Sequence, residues 1–245
     1  MDHSIQLYVS RVIAADFLQL ETRYLPRLHT GERARYRRLM SARRRLEWLA
    51  GRALAMEGLA ATLGCVNDNA LCAAETGGLV YRDAALFLNL SHSRGMLALT
   101  IATTTAGVDV EQICPRALLG HVERVFTSAE SAHLAQATGA ERLHLFYRYW
   151  TLKEATCKAA GLSIWEGLAA ARFDLRPAQA PAFTGTTEQL SGPWRFWSAS
   201  IDGCWQLAIA ALSAPTAGTF GAWRIVLPGT RTKLAVDAFS SFSSP

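Results

Sequence analysis

Gly107-Val108-Asp109-Val110-Glu111 and Trp150-Thr151-Leu152-Lys153-Glu154-Ala155-Thr156-Cys157-Lys158 are the two stretches that decide how this chain is read. In a strand, residues i and i+2 share a face. The first stretch therefore puts Asp109 and Glu111 on one side and Val108 and Val110 on the other. In a helix, every fourth residue shares a face, and the second stretch aligns Trp150, Glu154 and Lys158. Where the two faces meet, three carboxylates and one ammonium converge. Such a set suits a hard divalent cation beside a phosphate, because Mg²⁺ is held by one or two carboxylates, substrate phosphates and water. Asp109, Glu111 and Glu154 are the candidate metal ligands.

Outward from these stretches, strands and helices alternate without a strict βαβ rhythm, which gives an α+β class. Residues 5–9 read as a first strand. Leu39, Leu46, Leu49, Leu54 and Leu59 predict one helix over 32–63, ended by Gly64. Residues 86–90 and 96–103 predict a hairpin around Ser91-His92-Ser93-Arg94-Gly95. Short helices are expected over 116–125 and 128–137, the second capped by Thr127 or Ser128. The longest helix is expected over 141–160, stopped by Gly161. Strands are expected over 170–175, 194–200, 205–212 and 220–227, with Asp202-Gly203 as a hairpin turn. The Ser-rich tail from Asp237 reads as frayed.

At 245 residues, half of them hydrophobic, the chain can fill one large core or two small ones. No apolar run reaches the length of a membrane span, and Met1-Asp2-His3-Ser4 lacks the basic-then-apolar pattern of a signal peptide. The five cysteines form no C-x-x-C pair and read as reduced thiols of a cytoplasmic protein. The net charge of +5 is concentrated. Arg33, Arg35, Arg37, Arg38, Arg43, Arg44, Arg45 and Arg52 are opposed within their span only by Glu47. A basic helix of this kind suits an acidic partner or a multiply charged nucleotide. Nucleic acid is not expected, for no recognition motif and no regular aromatic interleaving accompanies the charge. The 25 basic residues include only three lysines, Lys153, Lys158 and Lys233, and two of them lie in the second quoted stretch. A compact ammonium that exchanges protons is not interchangeable with a planar guanidinium, so a chemical role is expected for at least one of the pair.

Each feature has a plainer alternative. Asp109 and Glu111 could be an ordinary polar strand face, although two acids on a Val-rich strand are costly if buried unpaired. Glu154 and Lys158 could be a surface i,i+4 salt bridge. His92 could be a simple turn histidine. Trp150 reads as packing that fixes the helix face, and Glu130 could be a first-turn acid complementing a helix dipole.

In these residues the chain resembles the 4'-phosphopantetheinyl transferases, of the larger single-chain type that activates surfactin synthetase. That family pairs a G-x-D-x-E strand with a W-x-x-K-E-x-x-x-K helix, and both are met in order. Its S-H-S element is Ser91-His92-Ser93, its F-[ST]-x-x-E element is Phe126-Thr127-Ser128-Ala129-Glu130, and its Arg-rich helix ends in Gly51-Arg52-Ala53-Leu54. The match covers residues 31–165. The usual Lys-Pro pair before the S-H-S strand is absent, with Gly77-Gly78-Leu79-Val80 in its place.

The resemblance implies two similar subdomains, 1–105 and 106–245, packed as a pseudo-dimer with the active site in the cleft between them. It implies transfer of the 4'-phosphopantetheine arm from coenzyme A to a serine of an acyl or peptidyl carrier protein, releasing 3',5'-ADP. The carrier belongs to a polyketide, fatty-acid or nonribosomal-peptide system and is typically acidic, which suits the basic helix. Mg²⁺ is the implied cofactor. Glu154, Lys158 and Glu130 take catalytic roles, with Glu130 helping near the nucleophile. Arg35, Arg45, Arg52, Ser91 and His92 hold coenzyme A. A cytoplasmic monomer without membrane contact is expected. Two other functions are compatible with the residues: a non-catalytic coenzyme A- or carrier-binding homologue, and a different Mg²⁺-dependent phosphoryl transferase.

Overall fold

The computed structural model of the chain describes residues 4–74, 78–115, 125–177, 180–212, 219–227, 230–234 and 239–244. It is α+β and divides into two compact units. The first comprises Met1–Thr104 with Gly218–Val236, the second Thr105–Ala217 with Asp237–Pro245. Two uninterrupted subdomains meeting at residue 105 are thus not what the chain forms, because one late segment belongs with the early sheet. The helix expected over 116–125 falls, except for Val125, outside the described residues, and so does Gly77.

The first unit begins with β1 (Ser4–Arg11), followed by α1 (Phe17–Tyr24), α2 (Thr30–Arg38) and α3 (Ala42–Leu63). Then come β2 (Leu71–Ala73), β3 (Leu79–Tyr81), β4 (Phe87–Ser93) and β5 (Met96–Ala102). The second unit carries β6 (Ala106–Gln112), α4 (Ser128–Gln136), α5 (Gly139–Ala160) and α6 (Ile164–Ala170). It continues with β7 (Ala171–Asp174), β8 (Ala182–Gly185), β9 (Trp194–Ile201) and β10 (Trp205–Leu212). β11 (Thr219–Val226) and β12 (Thr230–Lys233) return to the first unit, and β13 (Ser240–Ser243) closes the second.

Among the described residues the first unit's sheet has the order β12-β11-β1-β5-β4-β3-β2. It is antiparallel except where β1 pairs with β11 in parallel, Ser4 opposite Thr219 through Val9 opposite Arg224. Helix α3 packs on it through Leu49, Ala53, Leu54 and Met56, all buried. Gly51 has no side chain because a Cβ there would stand 2.6 Å from Leu90 Cδ2. The second unit's main sheet is β13-β9-β10-β6, with β7 and β8 as a separate pair. Its core is aromatic: Phe173, Phe183, Trp194, Phe196 and Phe242 lie in ring contact.

Four local readings are corrected. The helix expected over 32–63 is two helices, because Ser41 adopts extended backbone and its hydroxyl accepts from Arg44 N, starting α3 afresh. Ser91-His92-Ser93 is not a turn but the end of β4, so Ser91 and Ser93 are buried and His92 is exposed. The turn itself is the two residues Arg94 and Gly95, both at positive φ. The expected strand over 170–175 begins one residue late, after α6. The Ser-rich tail is no frayed end, since β13 pairs with β9 and Phe242 stacks on Phe196 at 5.0 Å.

A helix and a strand of the second unit approach closely at Gly107. A Cβ there would sit 2.2 Å from Ala155 O and 2.6 Å from Ala159 N. Backbone atoms cannot rotate away, so Gly107→Ala should destabilise the protein toward the upper end of the ~1–3 kcal/mol typical of overpacking. Urea unfolding checks this: the midpoint should fall with the m-value unchanged, and an unshifted midpoint would refute the close packing.

Candidate functional site

The approach at Gly107 places the acidic face of β6 against α5. Lys158 Nζ donates to Asp109 Oδ1 at 2.6 Å and to Val108 O at 3.3 Å, and lies 3.7 Å from Glu154 Oε2. Asp109 is buried, and Glu154 and Lys158 keep 12% and 27% of their side-chain surface. Opposite them in the sheet, Asp109 pairs with Ala208 and Glu111 with Gln206. The predicted convergence of Asp109, Glu154 and Lys158 therefore exists, and Glu111 is close enough to act electrostatically on Glu154.

The electrostatics follow from this crowding. Burial, reinforced by Asp109 and Glu111 and opposed by Lys158, raises the Glu154 carboxyl to about 7. Burial by itself would lower the Lys158 ammonium, but Asp109 and Glu154 outweigh it and hold the group above its ordinary value. Among the described residues no set of three or more His, Cys, Asp or Glu side chains is arranged as a metal-binding group. The donors nonetheless fit a dication in kind and in charge. Three carboxylates against one ammonium leave two negative charges, and hard oxygen donors are what Mg²⁺ takes.

The other face of α5 carries a second ion pair that sequence reading missed. Lys153 is fully buried. Its Nζ lies 3.0 Å from Glu130 Oε2 and donates to Leu168 O at 2.7 Å and Ala171 O at 2.5 Å. Glu130 also accepts from Thr127 N at 2.7 Å, as one half of a capping box, and from Phe173 N at 2.9 Å. One carboxylate thus ties α4, α5 and β7 together, and Lys153 adds the α6–β7 junction. Glu130 was expected near the nucleophile; its carboxylate is buried and engaged by Thr127 N, Phe173 N and Lys153. Burial lowers the Lys153 pKa against the opposing pull of Glu130. The signal available in the sequence was the rarity of lysine.

In the first unit the expected phosphate ligands divide. Arg45 Nε donates to Leu39 O at 2.6 Å, and its guanidinium lies 5.8 Å over the Tyr36 ring. Arg52 is buried, bonded to Glu32 at 2.8 Å and stacked 3.9 Å over Trp48. Arg35 is exposed and 3.7 Å from Glu32. A cavity of about 320 Å³ is lined by Arg44, Trp48, Arg52, Leu90 and His92. Arg44, which the sequence did not single out, is therefore better placed beside His92 than Arg45. Ser91, on the other face of β4, is buried.

Residues 105–211 match the model of the 4'-phosphopantetheinyl transferase superfamily. The 4'-phosphopantetheinyl transferase AcpT of Escherichia coli (strain K12) is 36% identical over 126 residues, covering 50% of this chain and 62% of that protein. The 4'-phosphopantetheinyl transferase HetI of Nostoc is 29% identical over 141 residues, covering 55% and 60%. The chain thus spans about six-tenths of the length of these curated relatives. A holo-(acyl-carrier-protein) synthase from Bacillus anthracis, solved in complex with CoA (3',5'-ADP), has a TM-score of 0.38 and 19% identity. It covers 44% of this chain and 95% of that one, a likeness too loose to bear on the site.

Two measurements check the electrostatics. Lys153→Met leaves Glu130 buried without its partner, and breaking such a pair costs about 3–5 kcal/mol; an unchanged unfolding midpoint would overturn the buried-pair assignment. In metal-free protein, the Glu154 carboxyl is raised from 4.5 to about 7. The folded state then holds the proton more tightly than the unfolded one, so stability is fullest below pH ~4.5 and falls as pH rises toward ~7, by at most about 3 kcal/mol. Denaturation at pH 5 and pH 8 in EDTA should show this fall, and Glu154→Gln should abolish it. Identical pH slopes for the two proteins would refute the shift.

Proposed function

We propose that the chain transfers the 4'-phosphopantetheine arm of coenzyme A to a serine hydroxyl of an acyl or peptidyl carrier protein, releasing 3',5'-ADP. The observation that carries this is the meeting of the G-x-D-x-E strand and the W-x-x-K-E-x-x-x-K helix at Asp109, Glu154 and Lys158, inside the segment that matches the superfamily. Asp109, Glu111 and Glu154 are the residues to hold Mg²⁺. When bound, that ion supplies neutralising charge at the pyrophosphate. The five free cysteines suit the reducing cytoplasm. Among the described residues, no helix is long and apolar enough to cross a membrane.

The chain's own groups divide the work. The serine oxygen attacks the phosphorus that bears the pantetheine arm, and the bond to the ADP oxygen breaks. Glu154 is assigned to accept the serine proton, directly or through one water. Lys158, held in place by Asp109 and Val108 O, is assigned to neutralise the departing phosphate. His92, Arg44 and Arg52 line the first unit's cavity and are assigned to the nucleotide phosphates, with Ser91 supporting the strand from its buried side. Arg44 answers for the missing Lys-Pro lysine.

The test is to incubate the protein with coenzyme A, Mg²⁺ and an apo-carrier protein and to weigh the carrier by mass spectrometry. A phosphopantetheine mass gain is expected, and none on any of several apo-carriers sinks the reading. Lys158→Arg keeps the charge but displaces its donors, and misplacement by an ångström costs on the order of a hundredfold in rate. Asp109→Asn should need far more Mg²⁺ for any transfer. Wild-type rates for both variants at limiting Mg²⁺ would remove these residues from the reaction.

A further inference from the structure

Among the described residues, Lys153 is the one charged group in the set of largest fully buried side chains, which is otherwise tyrosine, tryptophan, phenylalanine, leucine and methionine. The chemistry proposed above does not use it. Its ammonium is bonded in three places: to Glu130 on α4, to Leu168 O near the end of α6 and to Ala171 O at the start of β7. Glu130 is fixed in turn by Thr127 N and Phe173 N. Helix α6 comes near enough to offer Leu168 O because Gly167 has no side chain. A Cβ there would stand 2.3 Å from the Cys157 Sγ, one turn after Lys153 on the same face of α5.

Stability alone does not account for this pair. Taking an ammonium and a carboxylate out of water costs about what their attraction returns, and well-packed apolar residues of similar volume often stabilise a core as well or better. What the pair adds is geometry, and the far side of α5 needs it. There Ala155 and Ala159 meet Gly107 of β6. Alanine on glycine sets how near the two backbones come, but it presents no long side chain to resist rotation of the helix. Glu154 and Lys158 depend on that rotation. Side-chain tips stand about 5–6 Å from a helix axis, so a turn of about 10° moves them by about 1 Å. Lys158 holds Asp109 Oδ1 at 2.6 Å and Val108 O at 3.3 Å, and a shift of that size breaks both contacts.

We propose that Lys153 and Glu130 are positioning residues for the transfer site. By tying α5 to α4, to the end of α6 and to β7, the pair fixes the rotation at which Glu154 and Lys158 face Asp109. Neither residue of the pair touches substrate. Glu130 therefore acts through α5 and not on the serine nucleophile. The inference rests on the function proposed above.

The informative protein is the double variant Lys153→Met with Glu130→Gln. It leaves no uncompensated buried charge, so it should recover much of the stability that Lys153→Met alone loses. Its kcat for transfer to an apo-carrier should nonetheless stay down by about tenfold or more, because misplaced catalytic groups lower the rate. The KM for coenzyme A should remain near wild type, since the His92 cavity contains neither residue. Glu130→Gln alone keeps Lys153 on its two carbonyls and should fall between wild type and the double variant. Phe183→Leu, a core change on β8, should lose stability and keep its kcat. A second measurement needs no turnover. In metal-free protein, a double-mutant cycle with Lys158→Met and Asp109→Asn, read by urea unfolding, gives the coupling between those two residues. That coupling should fall to roughly half or less in the Glu130→Gln background and further in the double variant. A merely stabilising pair would leave it unchanged, because Lys153 bonds to neither residue. Wild-type kcat in the double variant, or an unchanged coupling in both backgrounds, overturns the positioning role and leaves the transferase reading standing. A wild-type protein that transfers nothing overturns the transferase reading, and the coupling still decides whether the pair sets the geometry.

Discussion

The contact between the backbone of β6 and the backbone of α5 at Gly107 is the constraint on which the second unit's chemistry depends. With any side chain at 107 the helix would stand off the strand, and Asp109 would lose the 2.6 Å reach of Lys158. Ala155 and Ala159 meet the glycine from the helix side, and Ala208 and Ala210 lie beside β6 in the sheet. This run of small residues lets a helix and a strand approach more closely than leucine-sized layers allow. The acidic face is then paired to the helix by ions rather than by packing.

Helix α5 carries its two lysines to different ends. Five residues at about 100° each put Lys153 and Lys158 about 140° apart around the axis. Lys153 points into the core and Lys158 toward the acidic strand. Both ammonium groups serve several oxygens at once in a small volume: Glu130, Leu168 O and Ala171 O for one, Asp109, Val108 O and Glu154 for the other. A planar guanidinium cannot point its donors at three converging oxygens. That geometry accounts for lysine in a chain that otherwise uses arginine. The Lys153–Glu130 pair on one side sets the rotation of the helix that the Lys158–Asp109 pair on the other side needs.

The site was legible because its chemistry is written in periodic positions. Two acids at i and i+2, and three residues at i and i+4, translate directly into faces. Most strands and both glycine helix stops were legible for the same reason. What escaped was tertiary. Glu130 looked like a first-turn acid, and only the fold brings Lys153 onto it. Arg45 and Arg44 are adjacent in an arginine run, and only the course of α3 sends one to Leu39 O and the other to the His92 cavity. The break between α2 and α3 was hidden because Ser41 interrupts a pattern whose apolar spacing continues through it. The S-H-S element is a strand end because the hairpin needs only two residues to turn, and Arg94 gives no compositional hint that it takes the left-handed conformation.

The parallel pairing of β1 with β11 has a consequence for how the chain is made. β1 precedes its partner β11 by more than two hundred residues. During synthesis at roughly 5–20 residues per second, one side of β1 therefore stays open for ten seconds or more. An unpaired edge of Ile5, Leu7 and Val9 is a template for the wrong strand. The intervening unit has the time to form around its own aromatic core before β11 appears. β11 then closes the open side of β1, with the exposed Thr-Arg-Thr-Lys of β12 as the sheet's polar selvedge.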